Sequence, residues 1–157
     1  MKKIIPLLIL LIIVFISSGQ TPEQQSLVGT LEKWLPNKPF ESFLSHFHIP
    51  YWGILVSIEE RGYYPFVEFL IRKGTHFCYF GMIALAVYAA LPRFKYRTLS
   101  AAILTMLFAI ADEFHQSLTS GRTATSQDVM LDTAGAITGL LIWKLIKTIK
   151  QRKFAKK

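Results

Sequence analysis

The chain has 157 residues, of which 52% are hydrophobic and only 18% charged, with a mean hydropathy of +0.36; a soluble domain carries roughly 25% charged residues. This excludes a disordered chain and points away from a soluble enzyme, toward a single domain that hides most of its surface in lipid or in an unusually apolar core. Eighteen Lys and Arg against ten Asp and Glu set a formal net charge of +8, which suits nucleic acid or an anionic membrane face, and the placement of the charges decides between them.

Lys2 and Lys3 precede an apolar run from Ile4 to Ile16. It reaches spanning length, as 3–19, only with Ser17 and Ser18 included and the lysines snorkelling. The same charged start, short apolar stretch and small residues Ser17 and Gly19 also fit a signal peptide. Residues 20–71 read as an external segment of short amphipathic helices. Thr21-Pro22-Glu23 is a helix start signal; Leu27, Leu31, Trp34 and Leu35 share a face, and Pro36 stops the run. A second stripe, Phe40, Phe43, Leu44 and Phe47, ends before Pro50. Such helices lie at the interface or cap a bundle, and Tyr51, Trp52, Tyr63 and Tyr64 suit the headgroup depth. His46 and His48, two apart, do not share a helix face, so no metal pair is expected there.

Three further spans follow, 72–91 closed by Pro92, 99–118 and 129–149, with a basic tail at 150–157. The expected fold is all-α: one polytopic membrane domain, 1–157, with four transmembrane helices and the external segment between the first and second. The single Cys78 falls inside the second span, which leaves no disulfide framework or paired-cysteine metal motif and predicts a small buried residue.

With the amino terminus inside, the inner side receives Lys2 and Lys3, then Arg93, Lys95 and Arg97, then every basic residue from Lys144 to Lys157, and no acid. The outer side and outer span ends hold Lys33, Lys38, Arg61, Arg72, Lys73, Arg122 and all ten acids. This is the positive-inside pattern, and it places both termini in the cytoplasm. A nucleic-acid role does not explain basic groups separated by apolar stretches, whereas anionic lipid is a natural contact for the tail.

The informative residues are those a membrane disfavours. Lys73 and His76 are three apart at the start of the second span and point the same way. Asp112, His115 and Gln116 recur at helical spacing near the outer end of the third, with Glu113 about 100° round the helix. Arg122 lies in the loop, and Asp128 and Asp132 share a face of the fourth span. Alternating topology brings all these groups to the outer leaflet. Four unpaired carboxylates at mid-bilayer would cost roughly 10 to 14 kcal/mol, so they sit near the interface, pair with Lys73, Arg122 or histidine, or line a wet cavity. Plainer roles exist for some: Asp128 as a capping partner of Thr125, Arg122 as an ion-pairing residue of a tight Gly121-Arg122 turn, Gln116 as an interhelical hydrogen bonder. Gly135 and Gly139 with Ala134 and Ala136 form a small-residue face for close helix packing.

Arg72-Lys73 with His76-Phe77, then Asp112-Glu113-Phe114-His115-Gln116, Gly121-Arg122, Asp128-Val129, Asp132-Thr133, Gly135-Ala136 and Gly139 make the chain similar to the VanZ-like family of bacterial membrane proteins. The similarity covers about 66–146, with Ser120 where a Pro often precedes the Gly, and with Phe80 beside Tyr79 where the family often has Tyr one turn after the His. It implies that the first helix is retained, in the bacterial plasma membrane. The family takes its name from a protein that lowers susceptibility to teicoplanin, a lipid-tailed glycopeptide, without an established molecular activity. Lys73, His76, Asp112, Glu113, His115, Gln116, Arg122, Asp128 and Asp132 are the site residues it implies.

The leading expectation is a membrane-embedded binding protein whose polar cluster engages a lipid headgroup, a lipid-linked wall precursor or a lipoglycopeptide, Lys73 and Arg122 meeting anionic groups. The alternative is an enzyme on a lipid-linked or wall substrate, drawing acid–base groups from His76, Asp112, Glu113 and His115, with Arg122 steadying negative charge. A third arrangement is a divalent metal held by Asp112, His115, Asp128 and Asp132, although no ligand motif is present and no cofactor is expected.

Overall fold

The computed structural model describes residues 3–154; Lys2, Lys156 and Lys157 of the inner-side charges lie outside them. The chain is mostly helical. Helix α1 (Ile5–Ser18) has Pro6 in its first turn, where a missing N–H costs nothing, and ends at Gly19. Leu7, Leu10, Leu11 and Val14 pack toward the core, while Leu8, Ile9, Ile12 and Ile16 are exposed.

The external segment departs from the expected pair of amphipathic helices. Thr21 and Gln24 do cap each other, Gln24 N donating to Thr21 Oγ1 at 3.4 Å and Thr21 N to Gln24 Oε1 at 2.9 Å, but the result is a turn. Helix α2 starts only at Val28 and runs to Trp34, with Leu31 buried and Trp34 exposed. The second stripe forms a single turn, α3 (Glu41–Leu44), and leaves Phe40, Phe43 and Phe47 exposed. An antiparallel hairpin follows, β1 (Ile49–Tyr51) against β2 (Ile54–Val56), so the fold is not purely helical. Trp52 and Gly53 turn it with φ of 52° and 73°, the two left-handed residues that a tight right-twisted hairpin needs. Helix α4 (Ile58–Arg61) is capped by Ser57, which accepts from Glu60 N at 3.3 Å.

Helix α5 (Tyr63–Ala90) begins nine residues before the expected 72 and stops where Leu91, preceding Pro92, turns extended, as a pre-proline residue does. Arg97 opens α6 (Arg97–Ser117) and ties off α5, donating from Nε to the Tyr88 carbonyl at 2.7 Å. Helix α7 (Ser126–Phe154) completes the chain. Phe80, Ile83, Ala84 and Val87 of α5 meet Ala101 and Ala109 of α6 and Ala136 and Leu140 of α7 in one core. Helices α5 and α7 run parallel, with Lys73 opposite Asp128, His76 opposite Asp132 and Gly81 opposite Gly139. Their approach is close enough that a Cβ on Gly135 would lie 2.0 Å from the Phe77 carbonyl oxygen, and one on Gly139 2.9 Å from that of Gly81. The small-residue face does serve packing.

Two helices, Arg97–Ser117 and Ser126–Lys153, are long and apolar enough to cross a membrane, and Ile5–Ser18 is a shorter apolar helix. Helix α5 is longer than needed but carries Glu68, Arg72, Lys73 and His76 in its first half. Cys78 is exposed rather than buried; it shares the outer face of α5 with Thr75 and Met82 at helical spacing, turned away from the core.

Candidate functional site

The parallel pairing of α5 and α7 sets two rungs. On the first, Lys73 Nζ donates to Asp128 Oδ1 and lies 4.6 Å above the Tyr51 ring. Tyr51 Oη also donates to Asp128, so the hairpin is tied to the start of α7. Thr125 Oγ1 donates to Asp128 Oδ2 at 2.9 Å, and Asp128 N returns a bond to Thr125 Oγ1 at 3.2 Å. Thr125 therefore caps α7, and the Asp128 carboxylate holds that cap while neutralising Lys73. Burial first, then the Asp128 carboxylate, hold the Tyr51 phenol above its ordinary pKa.

On the second rung, His76 Nδ1 stands 3.4 Å from Asp132 Oδ2. Asp132 is 2% exposed, and its other oxygen, Oδ1, has no hydrogen-bond partner among the described residues. Helix α6 adds Asp112, also buried, which accepts from Ser18 Oγ of α1 and from Gln116 Nε2 at 2.8 Å. One ligand atom each from His76, Asp112 and Asp132 lies within 4.8 Å of the other two.

Gln116 links this group to the loop, its Oε1 accepting from Arg122 Nη1 at 2.7 Å, while Arg122 Nη2 donates to Gln25. Gly121, at φ 78°, makes the turn that delivers Arg122 there. Burial, and then the Arg72 charge, lower the Arg122 pKa. Arg72 itself is 3.7 Å from Glu68, which accepts from Leu27 N at 3.1 Å.

Of the nine residues implied at the sequence level, eight join this network and one does not. Glu113 joins as a tether, its buried carboxylate accepting from Thr125 N at 2.5 Å. His115 stands apart. The α6 face that turns Asp112 and Gln116 inward directs His115 toward α1, where its ring stacks on Phe15 at 4.2 Å and 8°. The four-ligand metal set is not assembled either: Asp112 and Asp132 come together, but with His76, since Asp128 is taken up by Lys73. Ser18, Gln25 and Tyr51 are contributors that sequence reasoning left outside the site. Ser18 was marked by its place at the end of the first apolar run, while nothing in the sequence separated Gln25 from its polar neighbours or Tyr51 from the apolar residues around it.

Two hollows flank the network. One, of about 420 Å³, lies between α1, the segment after it and α5; Ile13, Val14, Ile71 and Tyr79 line it together with Ser17, Gln20, Gln25, Arg72 and His76. The other, of about 330 Å³, is bordered by Tyr51, Arg61, Arg72, Lys73, Arg122 and Asp128. Apolar walls beside several cations and amides suit a molecule with a greasy part and an anionic or hydroxylated part.

No curated protein and no solved structure matches the chain. The family model described as VanZ/LLP1 matches residues 3–147, which takes in α1, the hairpin, α5, α6, α7 as far as Lys147 and every residue of the network. The chain therefore belongs to the VanZ/LLP1 family.

Proposed function

We propose that the protein crosses the bacterial plasma membrane four times, through α1, α5, α6 and α7, with both termini inside, and binds the polar end of an amphiphile at the outer leaflet. The observation that carries this reading is the 420 Å³ hollow, apolar along Ile13, Val14 and Ile71 and polar at Gln25, Arg72 and His76. A lipid headgroup, a lipid-linked wall precursor and a lipid-tailed glycopeptide such as teicoplanin share that two-part chemistry. Exposed Ile12, Met82, Leu107, Ile110, Leu141 and Leu145 support lipid contact on all four helices. The absence of acids from Arg93 to Arg97 and from Lys144 onward supports the orientation.

An enzymatic reading is favoured by one contact, that of His76 with Asp132, in which a carboxylate orients an imidazole for acid–base work on the same class of ligand. The family name directs the test. Teicoplanin and vancomycin susceptibility is measured in a susceptible Gram-positive host carrying the intact protein, Asp112→Asn, Ile13→Trp or an empty vector, at matched membrane levels. Selective protection against teicoplanin that both substitutions abolish is expected. No protection by the intact protein overturns the glycopeptide assignment, and protection that survives Ile13→Trp overturns the role of the hollow. Reporter fusions after residues 55 and 95 must fall on opposite sides of the membrane for the topology to stand.

A further inference from the structure

We propose that His76, Asp112 and Asp132 form a binding site for a divalent transition-metal ion of the zinc or manganese type. The sequence led to no expectation of a metal; the four-ligand set weighed there, Asp112, His115, Asp128 and Asp132, is replaced here by His76 with Asp112 and Asp132. Each of the three residues comes from a different side of the bundle seam: His76 from α5, Asp112 from α6, Asp132 from α7. Their ligand atoms converge within 4.8 Å, and neighbouring ligand atoms around an ion with bonds of about 2.0 to 2.2 Å lie roughly 3 to 4 Å apart. Modest side-chain rotation closes the three on one ion.

Charge balance leads to the same place. Two carboxylates, 6% and 2% exposed, face each other's surroundings with no Lys or Arg bonded to either among the described residues. Lys73 is engaged by Asp128, Arg72 by Glu68, and Arg122 by the amides of Gln116 and Gln25. His76 supplies at most one positive charge against two negative ones. A buried carboxylate pair in that position calls for a further cation.

The independent mark is Asp132 Oδ1. It is buried, belongs to a side chain almost wholly removed from solvent, and has no hydrogen-bond partner among the described residues. Native structures seldom leave such an oxygen unmatched, and a metal ion matches it. Asp112 is prepared as a ligand should be, oriented by Ser18 and by Gln116, which Arg122 holds in turn. One imidazole and two carboxylates select zinc, manganese or ferrous iron over calcium, whose sites are built from oxygen alone. Three protein ligands leave a coordination position open, and His76 borders the 420 Å³ hollow.

This inference stands apart from amphiphile binding, because its readout is the metal itself. Full-length protein in detergent micelles is stripped with chelator, incubated with zinc or manganese, freed of excess ion and assayed for metal by mass spectrometry, with thermal unfolding followed in parallel. One ion per chain is expected, together with a melting temperature raised by metal. His76→Gln and Asp132→Asn should each hold less than about a tenth of an equivalent while His115→Phe holds one. Pulsed electron paramagnetic resonance of the manganese form should show a single histidine nitrogen, a measurement on the intact chain that decides the matter if the variants fail to fold. Substoichiometric metal in the intact protein with both ions, undiminished binding in folded Asp132→Asn, or a manganese spectrum without a histidine nitrogen overturns the proposal.

Discussion

Replacing Gly135 with alanine places a methyl group where α5 already has backbone. The new carbon would lie 2.0 Å from the Phe77 carbonyl oxygen, 2.8 Å from its carbonyl carbon and 2.9 Å from its Cα. None of these atoms sits at the end of a flexible side chain, so the strain is relieved only by moving one helix away from the other by more than about 1 Å, since ordinary carbon contacts begin near 3.5 Å. That movement loosens Ala136 and Leu140 against Phe80 and Ala84. Overpacking costs about 1 to 3 kcal/mol where neighbours can yield, and the rigid contact here places Gly135→Ala at ~3 kcal/mol or above. For a chain of this length the melting temperature should fall by roughly 6 to 12 °C. Gly74 is the control. It lies in the same α5 with nothing within 4 Å of a built Cβ, and alanine there should stabilise by about 0.5 to 1 kcal/mol through helix propensity. Thermal unfolding in micelles, followed by circular dichroism, reads both. A Gly135→Ala protein that melts with the wild type would refute the close contact and, with it, the register that aligns Lys73 and His76 with Asp128 and Asp132.

Tyr51→Phe should cost about 1 kcal/mol, the worth of the bond to Asp128, and its effect should depend on pH. Because the folded phenol has a pKa above the ordinary 10.0, the wild type keeps its advantage below pH 10 and loses it as pH rises further and Tyr51 ionises more readily in the unfolded chain. A difference between the two proteins that is constant through pH 11 would contradict the buried bond. His115→Phe should preserve the stack on Phe15 and remove a buried ring nitrogen, Nδ1, that has no partner among the described residues. Stability should rise by ~1 kcal/mol, and a drop would show that the imidazole has a polar role on the α1 side.

Helical spacing placed Lys73 with His76 and Asp128 with Asp132 on one face each, and their common depth brought them into reach, but which cation meets which acid, Lys73 with Asp128 and His76 with Asp132, came from the structure. The glycine and alanine face of α7 was equally readable. The hairpin was not. Its strands have three residues each, Pro50 interrupts the first, and the turn is Trp52-Gly53 instead of the Asn-Gly or Asp-Gly that usually announces two left-handed residues. The orientation of His115 also escaped the sequence, since a residue three positions from Asp112 is near enough to share its face or to stand at its edge, and the position of Phe15 decides which. Cys78 went unread for a related reason: apolar character does not distinguish a helix face turned to the core from one turned outward when most residues are apolar.

Helix α1 bonds to the rest through Ser18 and Asp112 at one end and through Leu10, whose carbonyl accepts from Tyr79 Oη at 3.1 Å. It contributes Ile13 and Val14 to the wall of the larger hollow, yet none of the carboxylates or cations. Helix α5 supplies both Ile71 and Tyr79 and the polar Arg72 and His76, so residues 5–16 of α1 are the purely apolar side of the hollow. If the protein binds an amphiphile as proposed, a change along residues 5–16 reshapes one wall of that hollow without touching the acids and histidine on α5, α6 and α7. Tail selection would then be set on one helix and headgroup contact on the others, joined where Ser18 donates to Asp112.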